Sequence, residues 1–221
     1  MIPPNEKDWN KFWNSYQNFD SSSISWSKRR IIGVLRNYLV ANKKVLDAGC
    51  GSGFFSKYFC DQGMVTYSVD YSMKAINLTK DLTKARSYTF KLDLLEESLG
   101  QLLNEKFDFI FSDGLLEHFE KSQQDKIMQN FKGVLNEKGM IMTFVPNRYS
   151  PWQWIRPIFM PGIEEKPFKL DELIDLNLRN DMRIIENGGI NVIPCALSPE
   201  RKMGKKWGML LFAISNSNDS K

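Results

Sequence analysis

The middle of the chain alternates between short apolar runs and longer segments in which apolar residues recur every three or four positions. The short runs are rich in β-branched and aromatic residues, as buried strands are, and the longer segments have the period of helices. Strands are predicted at residues 44–49, 64–70, 88–93, 107–112 and 139–145, and helices at residues 52–61, 72–82 and 123–135. This alternation predicts an α/β fold, in which a doubly wound, mostly parallel sheet carries helices on both faces.

The N-terminal region has an aromatic helical pattern before the first predicted strand. Trp9, Phe12, Trp13 and Tyr16 have helical spacing, and a second amphipathic helix completes residues 1–40. We predict that this region forms a helical cap. Its aromatic helix is expected either to lie over a cleft as a lid or to pack on the core as an ordinary amphipathic helix.

The C-terminal region is predicted to close the sheet. Residues 183–193 and 206–215 look like two strands with no helix between them, which predicts an antiparallel pair. The basic run Arg201–Lys206 leads into the second of them and is expected to be a solvated loop, or less often a phosphate-binding patch. Since no linker or internal repeat appears, all 221 residues are predicted to form a single domain.

Composition and charge limit the class of protein. Hydrophobic residues make up 42% and charged residues 25% of the chain, as in ordinary globular proteins. The net charge of +4 is small and the two signs are interspersed, so nucleic acid is not indicated as a partner. Cys50, Cys60 and Cys195 suggest reduced thiols, and neither a signal-peptide pattern nor a membrane-spanning apolar run is present. These features predict a cytoplasmic protein.

The first predicted strand runs into a glycine-rich loop, Asp47–Gly53, that has the features of a ligand-binding turn. Its glycines allow the backbone to approach a ligand closely, and the following helix points its free N–H groups at that ligand. The spacing is G-x-G-x-G, so Phe54 stands where the dinucleotide fingerprint has its third glycine. Asp47 suits an ammonium group better than a pyrophosphate. A ligand with an amino-acid end is therefore predicted in preference to a dinucleotide.

Acidic residues end the next strands as well. Asp70 can accept hydrogen bonds from ribose hydroxyls, and the following Tyr71 can pack on a purine. Asp93 can accept from an adenine amine while Leu94 covers the ring. A strand-end aspartate often only caps the next helix. Four consecutive strands that end in a suitable group, the fourth at Ser112–Asp113, are a stronger indication of a nucleotide-like ligand.

These residues resemble the class I S-adenosylmethionine-dependent methyltransferases, in particular the group of small-molecule enzymes called type 11 or type 12. The resemblance extends over about residues 30–147. It rests on four segments: Val45–Gly53, Ser68–Asp70, Lys91–Asp93 and Phe107–Phe119. It implies a Rossmann-like sheet of seven strands with the last strand antiparallel. It also implies an enzyme that uses S-adenosylmethionine and releases S-adenosylhomocysteine.

The resemblance implies roles for individual residues. The methionine part of the cofactor would lie against the glycine-rich loop, the ribose against Asp70 and the adenine against Asp93. The backbone around Ser112 would face the amino group and the sulfonium. The implied cofactor-binding residues are Asp47, Gly49, Cys50, Gly51, Gly53, Asp70, Tyr71, Asp93, Leu94, Ser112 and Asp113. No metal site is expected.

Methyl transfer from a sulfonium is an in-line displacement that depends mainly on positioning the acceptor and excluding water. A small molecule is the expected acceptor. The place after the fourth strand reads Ser112–Leu115, whereas an Asn/Asp-Pro-Pro-Tyr/Phe run would signal methylation of amides or bases. The alternatives are methylation of a protein or nucleic acid, and cofactor binding without catalysis on the same fold.

The acceptor pocket is expected outside the matched core. His118, the single histidine, is either a proton acceptor beside the methyl group or a structural residue at a helix start. Within the insertion at residues 148–169, the aromatic and proline-rich run 149–162 is not expected to form a simple helix. It is interpreted as a pocket wall or lid for an apolar or aromatic acceptor or one with a lipid-like part, or else as a packed loop or dimer contact. The candidate pocket residues are Tyr16, His118, Tyr149, Trp152 and Trp154.

Overall fold

Seven strands form one mixed sheet in the computed structural model, which describes residues 5–15, 24–95, 99–159 and 165–218. The strands are β1 Lys44–Ala48, β2 Val65–Asp70, β3 Tyr88–Lys91, β4 Phe107–Asp113, β5 Leu135–Pro146, β6 Met182–Ile190 and β7 Leu210–Ser217. Their order is β3-β2-β1-β4-β5-β7-β6. The strands β1 to β5 pair in parallel, while β7 pairs antiparallel with both β5 and β6. The predicted Rossmann-like sheet with an antiparallel last strand is confirmed.

Helices cover both faces of this sheet. Within the described residues they are α1 Glu6–Ser15, α2 Trp26–Leu35, α3 Phe54–Asp61, α4 Met73–Thr83, α5 Leu99–Leu103, α6 Lys121–Val134, α7 Trp152–Phe159, α8 Leu170–Arg179 and α9 Glu200–Trp207. None of them is both long enough and apolar enough to cross a membrane. Because neighbouring residues of a strand point to opposite faces, Ile110 packs with α6 and α8 while Phe111 packs with α2 and α3. Both faces are buried, as the continuous apolar run of β4 requires.

The strand order places a crevice at one edge of the sheet. The strand β1 pairs with β2 on one side and with β4 on the other, so the chain moves away in opposite directions from this point. In open α/β sheets, ligands bind at the carboxyl ends of strands at such a switch point. The loops that follow β1, β2 and β4 therefore meet where a ligand is expected.

The chain between β6 and β7 contains a helix, so the prediction of two strands with no helix between them is wrong. The basic run Arg201–Lys206 lies in α9 instead of forming a loop. Arginine and lysine have good helix propensity, and the glycine at position 204 lets the helix contact the backbone of β6. A Cβ on Gly189 would lie 2.0 Å from the carbonyl oxygen of Gly204. Hydrophobic periodicity does not reveal a helix that packs through glycine.

The described part of residues 149–162 contains α7, although its proline content predicts that it is not a simple helix. The helix begins directly after Pro151, where the fixed φ of proline suits a helix start. The N–H of Trp152 donates to the Ser150 hydroxyl at 3.2 Å. The proline and the serine together start the helix, which corrects the prediction.

Giving Gly189 a side chain tests the packing of α9 on β6. In Gly189→Ala the new methyl group would overlap the α9 backbone, so we expect the free energy of unfolding in urea to fall by about 2 kcal/mol or more. Gly33→Ala in α2 is the matched control, because a Cβ there meets no described atom within 4 Å. Alanine is favoured over glycine in a helix by about 1 kcal/mol, so this control should be neutral or stabilising. Equal stability of Gly189→Ala and the wild type would contradict the packing.

Candidate active site

The loop after β1 bends through three left-handed residues. Gly49, Gly51 and Gly53 have φ values of +75°, +52° and +78°, conformations that favour glycine. At Gly53 a Cβ would lie 2.6 Å from the Cα of Thr79, so this glycine permits α3 to pack on α4. At Gly51 a Cβ would lie 2.6 Å from the ring of Trp13. Gly51 therefore leaves space beside the loop, and α1 supplies the ring that borders it.

A cavity of about 560 Å³ opens above this loop. Its lining includes most of the residues predicted for the cofactor: Asp47, Gly49, Cys50, Gly51, Asp70, Tyr71, Asp93, Leu94 and Asp113. The structure does not place Gly53 or Ser112 in that lining. Gly53 faces α4, and the Ser112 hydroxyl is buried in the sheet. Packing on α4 explains the glycine at position 53, and the ligand contact expected from the backbone around Ser112 stays a prediction.

Only part of the predicted acceptor pocket lies at this cavity. Trp152 and His118 line it, whereas Tyr149 and Trp154 do not and are 56% and 84% exposed. Each residue of a helix turns about 100° from the one before it. Trp152 and the residue one turn later therefore share the cavity side of α7, and Trp154 points away from it. Tyr16 lies outside the described residues.

Three carboxylates in the cavity have lost much of the water that would stabilise their charge. Burial, together with the neighbouring Asp113 and Asp70, raises the pKa of Asp47 to about 7. The Ser56 hydroxyl opposes this rise by donating to Asp47 at 2.5 Å. Burial also raises the pKa of Asp113 to about 7, which nearby Lys28 opposes, and raises the pKa of Asp70 to about 6. A cationic ligand would favour the ionised form of all three.

Asp70 joins the loop after β1 to the start of α4. The Gly51 N–H donates to Asp70 Oδ2 at 2.9 Å, and the Ser72 N–H donates to Oδ1 at 2.8 Å. Each carboxylate oxygen has a further lone pair. The residue therefore holds two backbone segments in place and can still accept from a ligand hydroxyl.

Lys28 is a candidate site residue that the sequence does not reveal. It lies in α2 and lines the cavity, and its ammonium is 4.2 Å from the ring centroid of Phe54. Burial lowers its pKa, while Asp113 acts in the opposite direction. No motif marks this lysine, because it begins a run of three basic residues that resembles any solvated helix face. Only the packing of α2 beside the end of β4 brings it to Asp113.

The described part of the N-terminal helix covers the cavity. The aromatic side chains of α1 line it: Trp9, Phe12 and Trp13. The Glu6 carboxylate pairs with Lys91 Nζ at 2.7 Å, and the Ser72 hydroxyl donates to Asn10 Oδ1 at 2.6 Å. These contacts place the described part of α1 beside the cleft, and its role as a lid stays a prediction.

A second polar cluster lies in the cavity beyond the glycine-rich loop. Glu117 and His118 lie in a 3₁₀ turn after β4, whereas Arg156 belongs to α7 and Glu165 follows that helix. The Arg156 Nε lies 2.6 Å from Glu165 Oε1, and the His118 Nε2 lies 4.0 Å from Glu117 Oε1. Burial raises the pKa of Glu117 well above its usual range, and Glu165 adds to this rise. Of these four residues only His118 is predicted from sequence, because the partners come from separate segments of the chain.

Comparison with known proteins agrees with this geometry. Residues 46–143 match the model of a family described as a methyltransferase domain. Over these residues the chain is similar to that family. The prediction of a class I S-adenosylmethionine-dependent methyltransferase is confirmed.

The relatives of this methyltransferase include enzymes and structures of several kinds. It is 29% identical to the ubiquinone biosynthesis O-methyltransferase of Pelagibacter ubique in an alignment of 190 residues that covers 79% of this chain and 77% of the relative. It is 28% identical to the malonyl-[acyl-carrier protein] O-methyltransferase of Hamiltonella defensa over 98 residues, which are 44% of this chain and 36% of the relative. Its fold is similar to that of an N-methyltransferase from Bradyrhizobium japonicum, crystallised with S-adenosylhomocysteine. That likeness has a TM-score of 0.69 at 16% identity and covers 96% of this chain and 100% of the other.

The buried Asp47 carboxylate predicts that one contribution to stability falls as the pH rises. Its pKa increases from an ordinary 3.8 to about 7 in the folded state. Between these values the folded protein holds a proton that the unfolded chain has lost, so the free energy of unfolding decreases with pH. Asp47→Asn removes this titration and keeps an oxygen for the Ser56 hydroxyl. We expect the free energy of unfolding of the ligand-free variant, measured by urea denaturation, to be about 2 kcal/mol higher than that of the wild type at about pH 8. Near pH 4 the two free energies should be equal.

Asp61→Asn is the control of opposite sign. Partial burial opposes the shift, but Lys57 and Arg86 pair with Asp61 and leave its pKa below the ordinary value. This carboxylate therefore contributes stability above its unfolded pKa, and that stability is lost as the pH falls. Its replacement should lower the free energy of unfolding at about pH 8. A destabilised Asp47→Asn variant at the same pH would contradict the assignment of Asp47.

Proposed function

We propose that this methyltransferase methylates an oxygen atom of an apolar or aromatic small molecule, which it holds in the cavity beneath α1. The observation that carries the proposal is the charge of the cavity lining. Among the described residues of the lining, two basic side chains, Lys28 and Arg156, lie with six carboxylates: Asp47, Asp70, Asp93, Asp113, Glu117 and Glu165. The whole chain, by contrast, has a net charge of +4. Such a lining suits a cationic cofactor and an acceptor without negative charge.

The groups at the ends of β1 and β2 suit the amino-acid and ribose parts of S-adenosylmethionine. Asp47 and Asp113 would face the ammonium and sulfonium charges, and the missing side chains of Gly49 and Gly51 leave space for the methionine part. Asp70 uses one lone pair of each oxygen on a backbone N–H. Its remaining lone pairs would accept from the two ribose hydroxyls.

The groups after β3 suit the adenine ring. Asp93 Oδ1 accepts from the Leu95 N–H at 2.8 Å, which fixes the carboxylate at the cavity while its other oxygen stays available. Leu94 is buried beside it, and Tyr71 lines the same cavity from the end of β2. A carboxylate oxygen that accepts a hydrogen bond from the adenine amine, placed between an aliphatic and an aromatic side chain, is the surface that adenine requires. Cys50 completes the wall on the side of the glycine-rich loop.

The task of the protein in catalysis is mainly positioning. S-adenosylmethionine, when bound, supplies a methyl group on a positively charged sulfur. The chain must hold the acceptor oxygen in line with that group and exclude water, which the aromatic side chains of α1 and Trp152 are placed to do. Oxygen as the acceptor atom is supported by the two relatives named as O-methyltransferases. His118 stays a candidate proton acceptor because it lines the cavity.

We also propose that the protein is cytoplasmic. All three cysteines, Cys50, Cys60 and Cys195, are free thiols. A reducing compartment keeps such thiols reduced.

Replacing Asp70 tests the assignment of the ribose. We expect Asp70→Ala to weaken S-adenosylmethionine binding about 100-fold, because two charge-assisted hydrogen bonds to ribose and the backbone support of the loop are lost together. Isothermal titration calorimetry measures this change, and circular dichroism checks that the variant is folded. Asp81→Ala is the matched control, since Asp81 is an exposed aspartate of α4 outside the cavity lining. Unchanged affinity in folded Asp70→Ala would refute the assignment.

The raised carboxylate pKa values predict a pH dependence of cofactor binding. Asp47, Asp70 and Asp113 gain charge between about pH 6 and about pH 8, because their pKa values are about 7, 6 and 7. A cationic ligand binds the ionised site, so we expect the affinity for S-adenosylmethionine to rise about tenfold from pH 5.5 to pH 8. S-adenosylhomocysteine lacks the sulfonium charge and should show a smaller rise in the same titration. An affinity that falls with rising pH would contradict the proposed site.

A further inference from the structure

We propose that the acceptor end of the cavity is a subsite for the hydroxyl group of an apolar, aromatic alcohol, which Glu117 binds, and that it rejects acceptors carrying a carboxylate. The proposal rests on the proposed function and specifies its substrate class. Its components are Glu117, His118, Arg156 and Glu165, together with the aromatic walls that surround them.

Glu117 carries an acceptor atom for which the described part of the chain supplies no donor. The residue is 1% exposed, and its Oε2 has no hydrogen-bond partner among the described residues. A buried polar atom without a partner is unfavourable by about 1–3 kcal/mol. Because Glu117 lines the cavity, a molecule bound there can supply the missing partner.

The neighbouring cation does not meet this requirement. Arg156 Nε lies 2.6 Å from Glu165 Oε1, and the guanidinium makes no hydrogen bond to Glu117 Oε2. The His118 Nε2 is 4.0 Å from Glu117 Oε1, which is beyond hydrogen-bond distance. Among the described residues, one guanidinium therefore lies near two buried carboxylates.

This charge pattern selects the group that a ligand can present. A carboxylate would add a third negative charge beside Glu117 and Glu165, which is unfavourable in a buried site. A hydroxyl adds no charge and donates to Glu117 Oε2.

The walls of the subsite favour an aromatic body behind the hydroxyl. The Trp9 ring contacts the His118 ring edge-to-face with 4.9 Å between their centroids. Phe12, Phe119 and Trp152 line the same cavity. Aromatic rings pack well against such surfaces.

A divalent cation is the competing occupant. One ligand atom from each of Glu117, His118 and Glu165 lies within 4.8 Å of the other two, as a metal site would require. The guanidinium of Arg156 at 2.6 Å from Glu165 already places a positive charge in this cluster. It would repel a metal ion, so a neutral hydrogen-bond donor fits better.

Three ring-matched probes test the proposal in the full-length protein saturated with S-adenosylhomocysteine. They are 2-naphthol, 2-naphthoate and 2-naphthylmethylammonium, and their affinities are measured by calorimetry at neutral pH. We expect 2-naphthol to bind at least about tenfold more tightly than either charged probe, as the missing hydrogen bond and the like-charge repulsion require. Tightest binding of the naphthoate or the ammonium, or no binding of any probe, would overturn the proposal.

Substitution of Glu117 tests whether this residue causes the preference for 2-naphthol over the charged probes. Glu117→Gln should weaken 2-naphthol binding about tenfold and reduce the discrimination against 2-naphthoate, because the carboxylate charge is gone. Glu137→Gln, at an exposed glutamate of β5 outside the cavity lining, should leave the ranking unchanged. An unaltered ranking in Glu117→Gln would refute the role of this residue.

Two further titrations separate the possible failures. Absence of S-adenosylmethionine binding in the wild type would refute the proposed function itself, whereas cofactor binding with the wrong probe ranking refutes only the subsite. Glu117→Gln should keep its affinity for S-adenosylhomocysteine, which also shows that the variant is folded. Micromolar binding of ZnCl₂ or MgCl₂ to the wild type that Glu117→Gln abolishes would assign the cluster to a metal and overturn the proposal.

Discussion

The burial of carboxylates at the ends of β1, β2 and β4 is the constraint on which the rest of the site depends. Asp47 and Asp113 lie where the sheet, α2 and α3 exclude water, and this burial raises the pKa of each to about 7. Lys28 opposes the effect at Asp113, but it has itself lost solvent. Folding alone does not favour such an arrangement, since a buried charge is destabilising unless it is paired. A cationic ligand would offset this destabilisation when it binds. The buried carboxylates that destabilise the ligand-free fold are therefore the groups suited to binding such a ligand.

The sheet is predictable from sequence because its interactions are local and repetitive. The run Phe107–Ser112 is apolar on both faces, and only a parallel strand between two helical layers buries it. The missed helices depend on other forces. The α9 helix packs through Gly189 and Gly204, which have no hydrophobic signature. No element is predicted for α8, although Leu173 and Leu176 have helical spacing, because the proline-rich residues before it obscure where a helix begins.

The two halves of the candidate site differ in the same way. The proposed cofactor half consists of strand-end residues, so parallel topology alone aligns Asp47, Asp70 and Asp93 at one edge of the sheet. The acceptor half is assembled from α1, the turn after β4, α7 and the chain that follows it. No spacing rule connects Glu117 with Arg156 or Glu165. Local sequence motifs therefore predict the residues of the cofactor half. They do not predict the residues of the acceptor half, which only tertiary packing brings together.

The helix α1 connects these halves physically. Its Trp13 ring lies against Gly51 in the proposed cofactor half, and its Trp9 ring lies against His118 in the acceptor half. Both rings belong to one ten-residue helix, so the two halves are closed by a single rigid element. That helix is anchored through Asn10 to Ser72, whose backbone N–H is also bound by Asp70. Asp70, which is proposed to hold the ribose, thus also fixes the residue to which α1 is bound. A shift of α1 would open both halves of the site to water together.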